Sequence, residues 1–310
     1  MPKAYADAFP ASESHLERDA QRLDAVEIDT AFYRSHRVGT CARWAASVPE
    51  QFRSAVKLPR TITHERRLTH AEGLLRQFLS GIAGLGPKLG PLLIQLPPSL
   101  RFDPDTSAGF LRAFRDIHAG AIVCEPRNTS WFAHDVDALR AELCIARVAA
   151  DPAPVPDADE PGGWHGLRYE RLHGSPKIDY SAYSRSTLDA VAGRLAADAT
   201  QGRECWCIFD NTAAFAATGD ALAARERLHG HTSVIESPMP AEHSQKSILA
   251  WHRHGAYRAP QPSRICPARQ RIRFALTDTR DPTRYEHVTF ASGDLAVILL
   301  SRRRPQPRCA

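Results

Sequence analysis

Apolar and polar positions follow two periods along this chain, and the two periods alternate in a fixed order. Runs with a two-residue period, such as V-E-I-D at 26–29 and A-V-K-L at 55–58, predict β-strands. Longer segments with apolar residues three and four positions apart, such as residues 70–85, predict amphipathic helices. Because most predicted strands are followed by a predicted helix, the pattern indicates a parallel sheet built from repeated strand–helix units.

This periodicity predicts seven strands and seven helices. The strands cover residues 23–33, 52–59, 91–98, 122–125, 145–151, 167–174 and 204–211. The helices cover residues 12–22, 39–48, 70–85, 105–118, 131–143, 185–199 and 212–228. Ser12 or Ser14 is expected to cap the first helix. No segment has the pattern of a hairpin, so the fold is expected to be a barrel or an open doubly wound sheet.

The two faces of the predicted strands favour the barrel. On most strands one face is apolar and the other carries isolated polar groups, whereas an open sheet covered by helices on both sides needs two apolar faces. The polar faces are therefore expected to point into a barrel. The residues that they bring together are Glu27, Asp29, Lys57, Gln95, Glu125, Arg127, Arg147, Asp151, Arg171 and His173, with Asp210 or Asn211 from the last strand.

Two interpretations of this polar set remain open. Buried charges must be paired, so a balanced set of acidic and basic residues can be an ion-pair network that fills the barrel. The alternative is a functional site, because most of these residues lie at the C-terminal ends of their strands, where barrel enzymes hold their chemistry. The second interpretation is favoured, since a core that only needed filling would use Val, Ile and Leu.

Within a functional site, the basic residues suit an anionic ligand. Lys57, Arg127 and Arg171 are expected to grip a phosphate or carboxylate. His173 is the best general acid–base, with Glu125 orienting it or sharing its proton. The candidate catalytic residues are therefore Glu125, His173 and Asp210, and the candidate ligand-binding residues are Glu27, Lys57, Gln95, Arg127, Asn128, Arg171 and Asn211.

A divalent metal is the weaker alternative. Its ligands would be Glu27, Glu125, Asp151, His173 and Asp210. Lys and Arg in the same pocket would compete for those carboxylates, and no HxH or HExxH spacing supports a metal, so no cofactor is predicted. His64 is a second candidate acid–base, although a histidine in a polar loop is usually solvated.

The basic charge of the chain belongs to its last part. The net charge of the 310 residues is +5, but residues 231–310 alone hold one Lys and twelve Arg against six acidic residues. A basic whole-chain average is therefore weak evidence for nucleic-acid binding by the rest. Residues 1–230 are expected to form the barrel domain. Residues 231–310 are expected to be a Pro- and Arg-rich tail, mostly disordered or a small irregular extension.

Composition also bears on the expected location of the protein and on its expected partners. No apolar run is long enough for a membrane helix, and the N-terminus lacks the apolar core of a signal peptide. The seven cysteines are scattered and are expected to be mostly buried thiols, which favours a cytoplasmic location. The expected partner is a small anionic ligand or a nucleic acid, and nothing indicates a protein partner or the membrane.

Several motifs, taken together and in order, resemble one known family. They are V-E-I-D-T-A-F-Y-R at 26–34, F-R-S-A-V-K-L-P-R-T-I-T-H-E at 52–65, G-P-L-L-I-Q-L-P-P-S-L at 90–100, C-E-P-R-N-T-S-W-F at 124–132, R-V-A-A-D-P at 147–152, Y-E-R-L-H-G-S-P at 169–176 and W-C-I-F-D-N-T at 206–212. They resemble the YecE-like family, domain of unknown function 72, over residues 14–230. The resemblance implies a TIM-type (β/α) barrel but no activity. Its link in fold to barrels of the endonuclease IV and xylose isomerase type suggests a nucleic-acid or phosphate-bearing ligand by analogy.

The chain departs from that family in two ways. Members usually begin with a strand similar to I-R-I-G-T-S-G-W, and nothing of that kind precedes Ser12. The barrel is therefore expected to lack its usual first strand, unless Ile272–Leu276 or Leu295–Leu300 fills the gap. Glu170 stands where the family often has Tyr.

Three functional hypotheses follow. The leading one is a YecE-like barrel that binds or processes a phosphorylated or other anionic ligand at its C-terminal mouth, with enzymatic activity left open. The alternatives are a nucleic-acid-binding protein that uses its basic tail and a truncated, inactive family member.

Overall fold

The computed structural model describes residue 9, residues 14–235 and residues 272–278. Its helices are α1 His15–Ala20, α2 Val38–Ala46, α3 Glu72–Ile82, α4 Thr106–Ile117, α5 His134–Glu142, α6 Arg185–Thr200 and α7 Ala216–Ile235. Its strands are β1 Ala25–Ile28, β2 Arg53–Lys57, β3 Leu89–Gln95, β4 Ile122–Glu125, β5 Ile145–Arg147, β6 Ala149–Asp151, β7 Gly162–Gly163, β8 Leu167–Leu172, β9 Glu204–Phe209 and β10 Ile272–Asp278. The seven predicted strands and seven predicted helices are all present.

The strands form one sheet that closes into a barrel. Its order is β6-β8-β9-β10-β1-β2-β3-β4-β5-β7, and every pairing is parallel except that of the two-residue strand β7 with β5. Strands β5 and β6 follow one another directly in residues 145–151. Because β5 pairs with β4 and β6 pairs with β8, this one segment joins the two ends of the sheet. The result is the predicted (β/α) barrel, with the helices outside it.

Strand β10 occupies the barrel position that was expected to lack its usual first strand. It lies between β9 and β1, with Ala275 opposite both Ile208 and Ala25. The barrel therefore has eight parallel positions, and the alternative in which Ile272–Leu276 fills the gap is confirmed. The barrel also extends beyond residue 230 in sequence, because β10 lies in the segment expected to be a tail. The rest of that segment, including Leu295–Leu300, lies outside the described residues.

The two faces of the strands differ as predicted. Outward-facing residues such as Val56, Ile94 and Cys124 pack with the helices in the larger apolar core, and Cys205 and Phe274 belong to a second core against α6 and α7. The lower lumen is filled by a third apolar cluster, comprising Ala25, Ala55, Leu93, Val123, Ala146, Val148, Leu167, Tyr169, Trp206, Ile208 and Ala275. The polar residues continue the same inward faces toward the C-terminal mouth.

The parity of one strand was predicted wrongly. Arg147 was expected inside the barrel, but Ala146 and Val148 face the lumen instead. The Arg147 guanidinium lies outside, 3.5 Å from the Asp137 carboxylate of α5 and 4.7 Å from the centre of the Phe132 ring. Arg147 therefore lies on the outward face of this strand, where it pairs with the neighbouring helix.

The first strand is shorter than predicted, and this matters for the site. Residues 23–33 were expected to be extended, but β1 ends at Ile28 and Thr30–Phe32 form a 3-10 turn closed by the Phe32 N–H on the Asp29 carbonyl at 2.9 Å. The turn brings Phe32 to the barrel mouth. At the other end of this region, Ser14 caps α1 in a capping box with Glu17, so Ser14 rather than Ser12 is the cap.

Candidate functional site

The centre of the upper lumen is an arginine surrounded by three carboxylates. Arg171, at the end of β8, is fully buried and binds Glu27 at 2.7 Å, Glu125 at 2.6 Å and Asp210 at 2.9 Å. The three acids come from the ends of β1 and β4 and from the residue after β9. A guanidinium can hold several carboxylates because its donors form a planar fork. The ends of strands far apart in the barrel are thus joined through one side chain.

The three carboxylates are not electrostatically equivalent. Burial alone would raise the pKa of Glu125, but the charges of Arg171, Arg127 and His173 outweigh it and hold this pKa well below its usual value. Burial would also raise the pKa of Asp210, but the contacts of this carboxylate with Arg171 and His173 outweigh burial, and its pKa is lowered. For Glu27 burial prevails over the Arg171 charge, and its pKa is raised. Glu27 is therefore the member of the trio that takes a proton most easily.

His173 lies beside this trio, one residue beyond the end of β8. Its Nδ1 is 2.9 Å from Asp210 Oδ2, and its Nε2 is 3.4 Å from Glu125 Oε1. Nε2 is buried without a hydrogen-bond partner within the described residues. Burial acts to lower the pKa of His173, but the Glu125 charge and the hydrogen bond with Asp210 raise it above the ordinary value. An imidazole oriented through Nδ1 is the arrangement that presents Nε2 for proton transfer.

A second ion pair closes the β1–β2 side of the mouth. Lys57 Nζ is 2.7 Å from Asp29 Oδ1, and the same ammonium lies 4.2 Å from the centre of the Phe32 ring. Burial raises the pKa of Asp29 despite the opposing Lys57 charge. The structure places Asp29 and Lys57 together at the mouth, and Phe32 joins them there without having been predicted.

His64 lies at the mouth rather than in solvent. It is half-buried in a single π-helical turn, Thr61–Glu65, and its ring packs edge-on against Phe32 with the centroids 4.9 Å apart. Burial lowers the pKa of His64 to about 4, and the positive charges of Lys57, Arg127, Arg60 and Arg67 act in the same direction. Single π turns are frequent at functional sites. Four cationic side chains therefore lie around His64 at the mouth, and three of them, Lys57, Arg127 and Arg60, are paired with carboxylates.

Arg127 connects the sealed cluster with the surface. Its Nε and one terminal nitrogen lie 3.0 and 2.9 Å from Glu125 Oε1, while 31% of its side chain is exposed. Gln95, the neighbour of Glu125 in the sheet, donates to the same oxygen at 3.0 Å. Glu125 is therefore held by several donors at once, and Arg127 is the donor that solvent also reaches.

Three predicted residues serve the scaffold instead. Asn128 accepts from the N–H of Ser130 and donates to the Pro98 carbonyl, so it holds the turn after β4. Asn211 is fully buried and donates to the Ser181 carbonyl and to Asp220. Asp151 accepts a hydrogen bond from the Tyr183 hydroxyl at 2.8 Å. Their side-chain contacts separate them from the group around Arg171.

The arrangement of the carboxylates bears on the metal alternative. Glu27, Glu125 and Asp210 turn their oxygens toward the Arg171 guanidinium, which fills the space between them. Within the described ranges, no group of three or more His, Cys, Asp or Glu side chains is arranged to hold a metal ion. The same part of the chain contains no helix long and apolar enough to cross a membrane.

The structure adds partners that the sequence reasoning missed. Tyr169 donates to Glu27 Oε2 at 2.7 Å, and the Thr277 hydroxyl lies 3.4 Å from Glu27 Oε1. Tyr169 was visible as an inward position two residues before Arg171 on the same strand. Thr277 could be placed only once the position of β10 was known.

Fold and site together define a class: an eight-position (β/α) barrel with a sealed ion-pair cluster beneath a cationic mouth. The sequence profile of the family described as Protein of unknown function DUF72 matches residues 2–244. The chain belongs to this family, which confirms the resemblance noted in its motifs.

The UPF0759 protein YecE of Escherichia coli strain K12 is 33% identical over 82 residues, which is 26% of this chain and 30% of that protein. The YecE protein of E. coli O157:H7 matches over the same extent, so the aligned part is less than a third of each curated relative.

Solved structures of the family share the fold. A DUF72 family protein of Enterococcus faecalis V583 superposes with a TM-score of 0.62 and 22% identity, covering 74% of this chain and 93% of its own. A DUF72 family protein of Thermotoga maritima MSB8 gives a TM-score of 0.52 and 20% identity, covering 66% and 85%. At these identities the likeness shows the barrel fold alone.

Glu170, the position where a Tyr was expected from the resemblance to the family, makes its contacts outside the barrel. Glu170 lies on the outer face of β8, where its Oε1 is 2.7 Å from Arg168 Nε and its Oε2 is 3.4 Å from Arg194 of α6. Arg168 in turn binds Asp198 of α6 at 2.7 Å. Glu170 therefore belongs to the contact between β8 and α6 and not to the lumen.

Proposed function

We propose that the barrel mouth binds a phosphorylated or other anionic ligand, and that His173 transfers a proton to or from it. The observation that carries the proposal is the clustering of four cationic side chains, Lys57, Arg127, Arg60 and Arg67, around half-buried His64 at the mouth. Cationic side chains gathered at one mouth favour an anionic ligand.

The proposed roles follow from position in the barrel. Lys57 and Arg127 are the cations at the boundary between the sealed cluster and the mouth, and Arg127 has terminal donor capacity beyond its contact with Glu125. Both groups suit an oxyanion. Arg171 takes a different role from the ligand contact first predicted for it. Because it is fully buried among three carboxylates, it fixes Glu125 and Asp210 in place.

His173 is the proposed acid–base residue. Asp210 orients its ring through Nδ1, and Glu125 favours its protonated form. The raised pKa favours the imidazolium form, which suits protonation of a leaving group or stabilisation of a developing negative charge.

The test is a thermal-shift and calorimetric screen of the full chain against inorganic phosphate, sugar phosphates, nucleotides and dicarboxylates. The full chain is required because β10 completes the barrel. A ligand at 100 times its Kd adds about 2.7 kcal/mol of stability, which is readily measured. Binding should be lost in Arg127→Ala and retained in Arg76→Ala, which removes an exposed arginine paired only with Glu72 on its own helix.

The outcomes separate the proposal from a purely structural ion-pair network. If a ligand binds and His173→Gln keeps its affinity but loses turnover, His173 is catalytic. If Arg127→Ala binds every ligand as well as the wild type does, the mouth is not the binding site. If no anion binds to a cooperatively folded chain, the cluster around Arg171 is structural.

The nucleic-acid-binding and truncated-protein hypotheses depend on different parts of the chain. The basic segment that would contact nucleic acid lies largely outside the described residues. The truncated-protein hypothesis depended on an absent strand, and β10 fills that position.

A further inference from the structure

A separate cavity lies outside the barrel mouth, between the end of β1 and helix α2. It is open to solvent, and its volume is about 430 Å³. The side chains that line it come from one continuous stretch of the chain. They are Arg34, Ser35, His36, Arg37, Thr40, Arg43 and Trp44.

The charge of this cavity has one sign. Three arginines line it, and no acidic residue does. Within the described part of the chain, none of these three guanidinium groups forms an ion pair with a carboxylate. Other arginines of the barrel, such as Arg76 and Arg112, do form such pairs. Three guanidinium groups without a carboxylate partner, placed around one cavity, can donate hydrogen bonds to the oxygens of a phosphate group.

The cavity also offers an aromatic surface. Trp44 is partly exposed; it packs against the larger apolar core and also lines the cavity. The His36 ring meets it edge-on, with centroids 4.9 Å apart and planes at 69°. His36 is held by the Thr30 hydroxyl at 3.0 Å, so the pair has a fixed orientation. A supported indole next to phosphate-binding groups is a stacking surface for a planar base.

We propose that this cavity is a nucleoside-phosphate site, in which the three arginines bind the phosphate and Trp44 stacks on the base. A free mononucleotide and the phosphorylated end of a nucleic-acid strand offer the same chemistry. The site is distinct from the mouth: none of its lining residues belongs to the group around Arg171 and His173.

The experiment measures binding of AMP, inorganic phosphate and a 5′-phosphorylated oligonucleotide to the full chain by calorimetry and tryptophan fluorescence. AMP should bind more tightly than phosphate and should quench the emission of Trp44. Arg43→Ala and Arg37→Ala should each weaken AMP about tenfold or more, the scale of a charge-assisted hydrogen bond. Arg185→Ala, which removes another exposed arginine, should leave the affinity unchanged.

Two tryptophan variants test the stacking separately from the charge. Trp44→Phe should retain AMP binding while losing the quench, and Trp44→Leu should weaken AMP about tenfold without weakening inorganic phosphate. Tighter binding of the oligonucleotide than of AMP would identify a strand end as the ligand, and the reverse would identify a free nucleotide.

Three results would overturn the proposal. They are no AMP binding at millimolar concentration, equal AMP affinity in Arg43→Ala and wild type, and AMP binding that Trp44→Leu leaves intact. Because Arg127→Ala reports on the mouth and Arg43→Ala on this cavity, the two proposals can fail independently.

Discussion

Arg171 and Glu27 form an ion pair 2.7 Å long across the lumen, from β8 to β1, with both side chains completely shielded from solvent. The pair does not join neighbouring strands, because β9 and β10 lie between β8 and β1 in the sheet. It therefore ties opposite parts of the wall together. Buried pairs of this kind add little stability compared with apolar packing, but they are costly to break from one side.

Replacing Arg171 by Met should destabilise the protein by about 3–5 kcal/mol, because three carboxylates would be left without their counter-charge. Urea denaturation measures the loss. Adding Glu125→Gln to the variant should recover part of it, since one of the uncompensated charges is removed. Arg76→Ala is the control and should cost less than about 0.5 kcal/mol, because its ion pair is exposed. A fully stable Arg171→Met protein would contradict the account of the cluster given above.

His173 should make the stability depend on pH in the neutral to alkaline range. The pKa of His173 is raised in the folded protein above its ordinary value of 6.5, so folding binds a proton more tightly. Its contribution is fully present below about pH 6.5 and is lost as the pH rises through the raised pKa. Comparing the free energy of unfolding of His173→Gln and wild type from pH 6 to 9 tests this. The difference between them should shrink as the pH rises; a constant difference would show that His173 does not titrate as expected.

His64 should respond in the opposite sense. Its pKa falls to about 4 in the folded protein, so the unfolded chain takes up a proton first as the pH drops below the ordinary 6.5. Stability should therefore decrease between pH 6.5 and 4. An anion bound to Lys57 and Arg127 would cancel part of the surrounding charge and raise this pKa. An NMR titration, with the His64 signal assigned through His64→Gln, should show that rise when the ligand is added, and an unchanged pKa would separate His64 from the binding site.

Strand β10 should be indispensable for the barrel. A chain ending at residue 267 leaves β9 and β1 as open edges and should show no cooperative thermal transition, whereas a chain ending at residue 285 should melt cooperatively. Phe274→Ala is the milder test. Its side chain is buried against the second core, and truncation should cost about 3–5 kcal/mol. A sharp melt of the chain without β10 would mean that the barrel closes in another way.

The convergence of the site was predictable because it depends on two simple rules. Glu27, Glu125 and Arg171 each occupy the inward face of an alternating strand, and parallel strands end at the same side of a barrel. A period of two therefore suffices to place them together. It does not say which carboxylate binds which cation, and so the role of Arg171 at the centre of three acids emerged only from the geometry.

Other features are invisible to periodicity. In residues 145–151, small alanines stand on both faces, so the apolar contrast is too weak to fix the parity, and Arg147 was placed inside. His64 follows a strand in a π turn whose form depends on packing against Phe32. Strand β10 is separated from α7 by residues 236–271, so its position follows from the open edges of β9 and β1 and not from any local pattern.

The pairing of β1 with β10 also sets an order of events during synthesis. Glu27 lies opposite Thr277, so the two strands that complete the ring are 250 residues apart along the chain. On the ribosome, β1 through β9 emerge long before their last neighbour does, and the ring cannot close until residue 278 has left the exit tunnel. Contacts this distant in sequence slow folding, and the waiting strand edges invite association with other chains. The nascent protein should therefore acquire its native sheet only after residue 278 has been made and released from the tunnel.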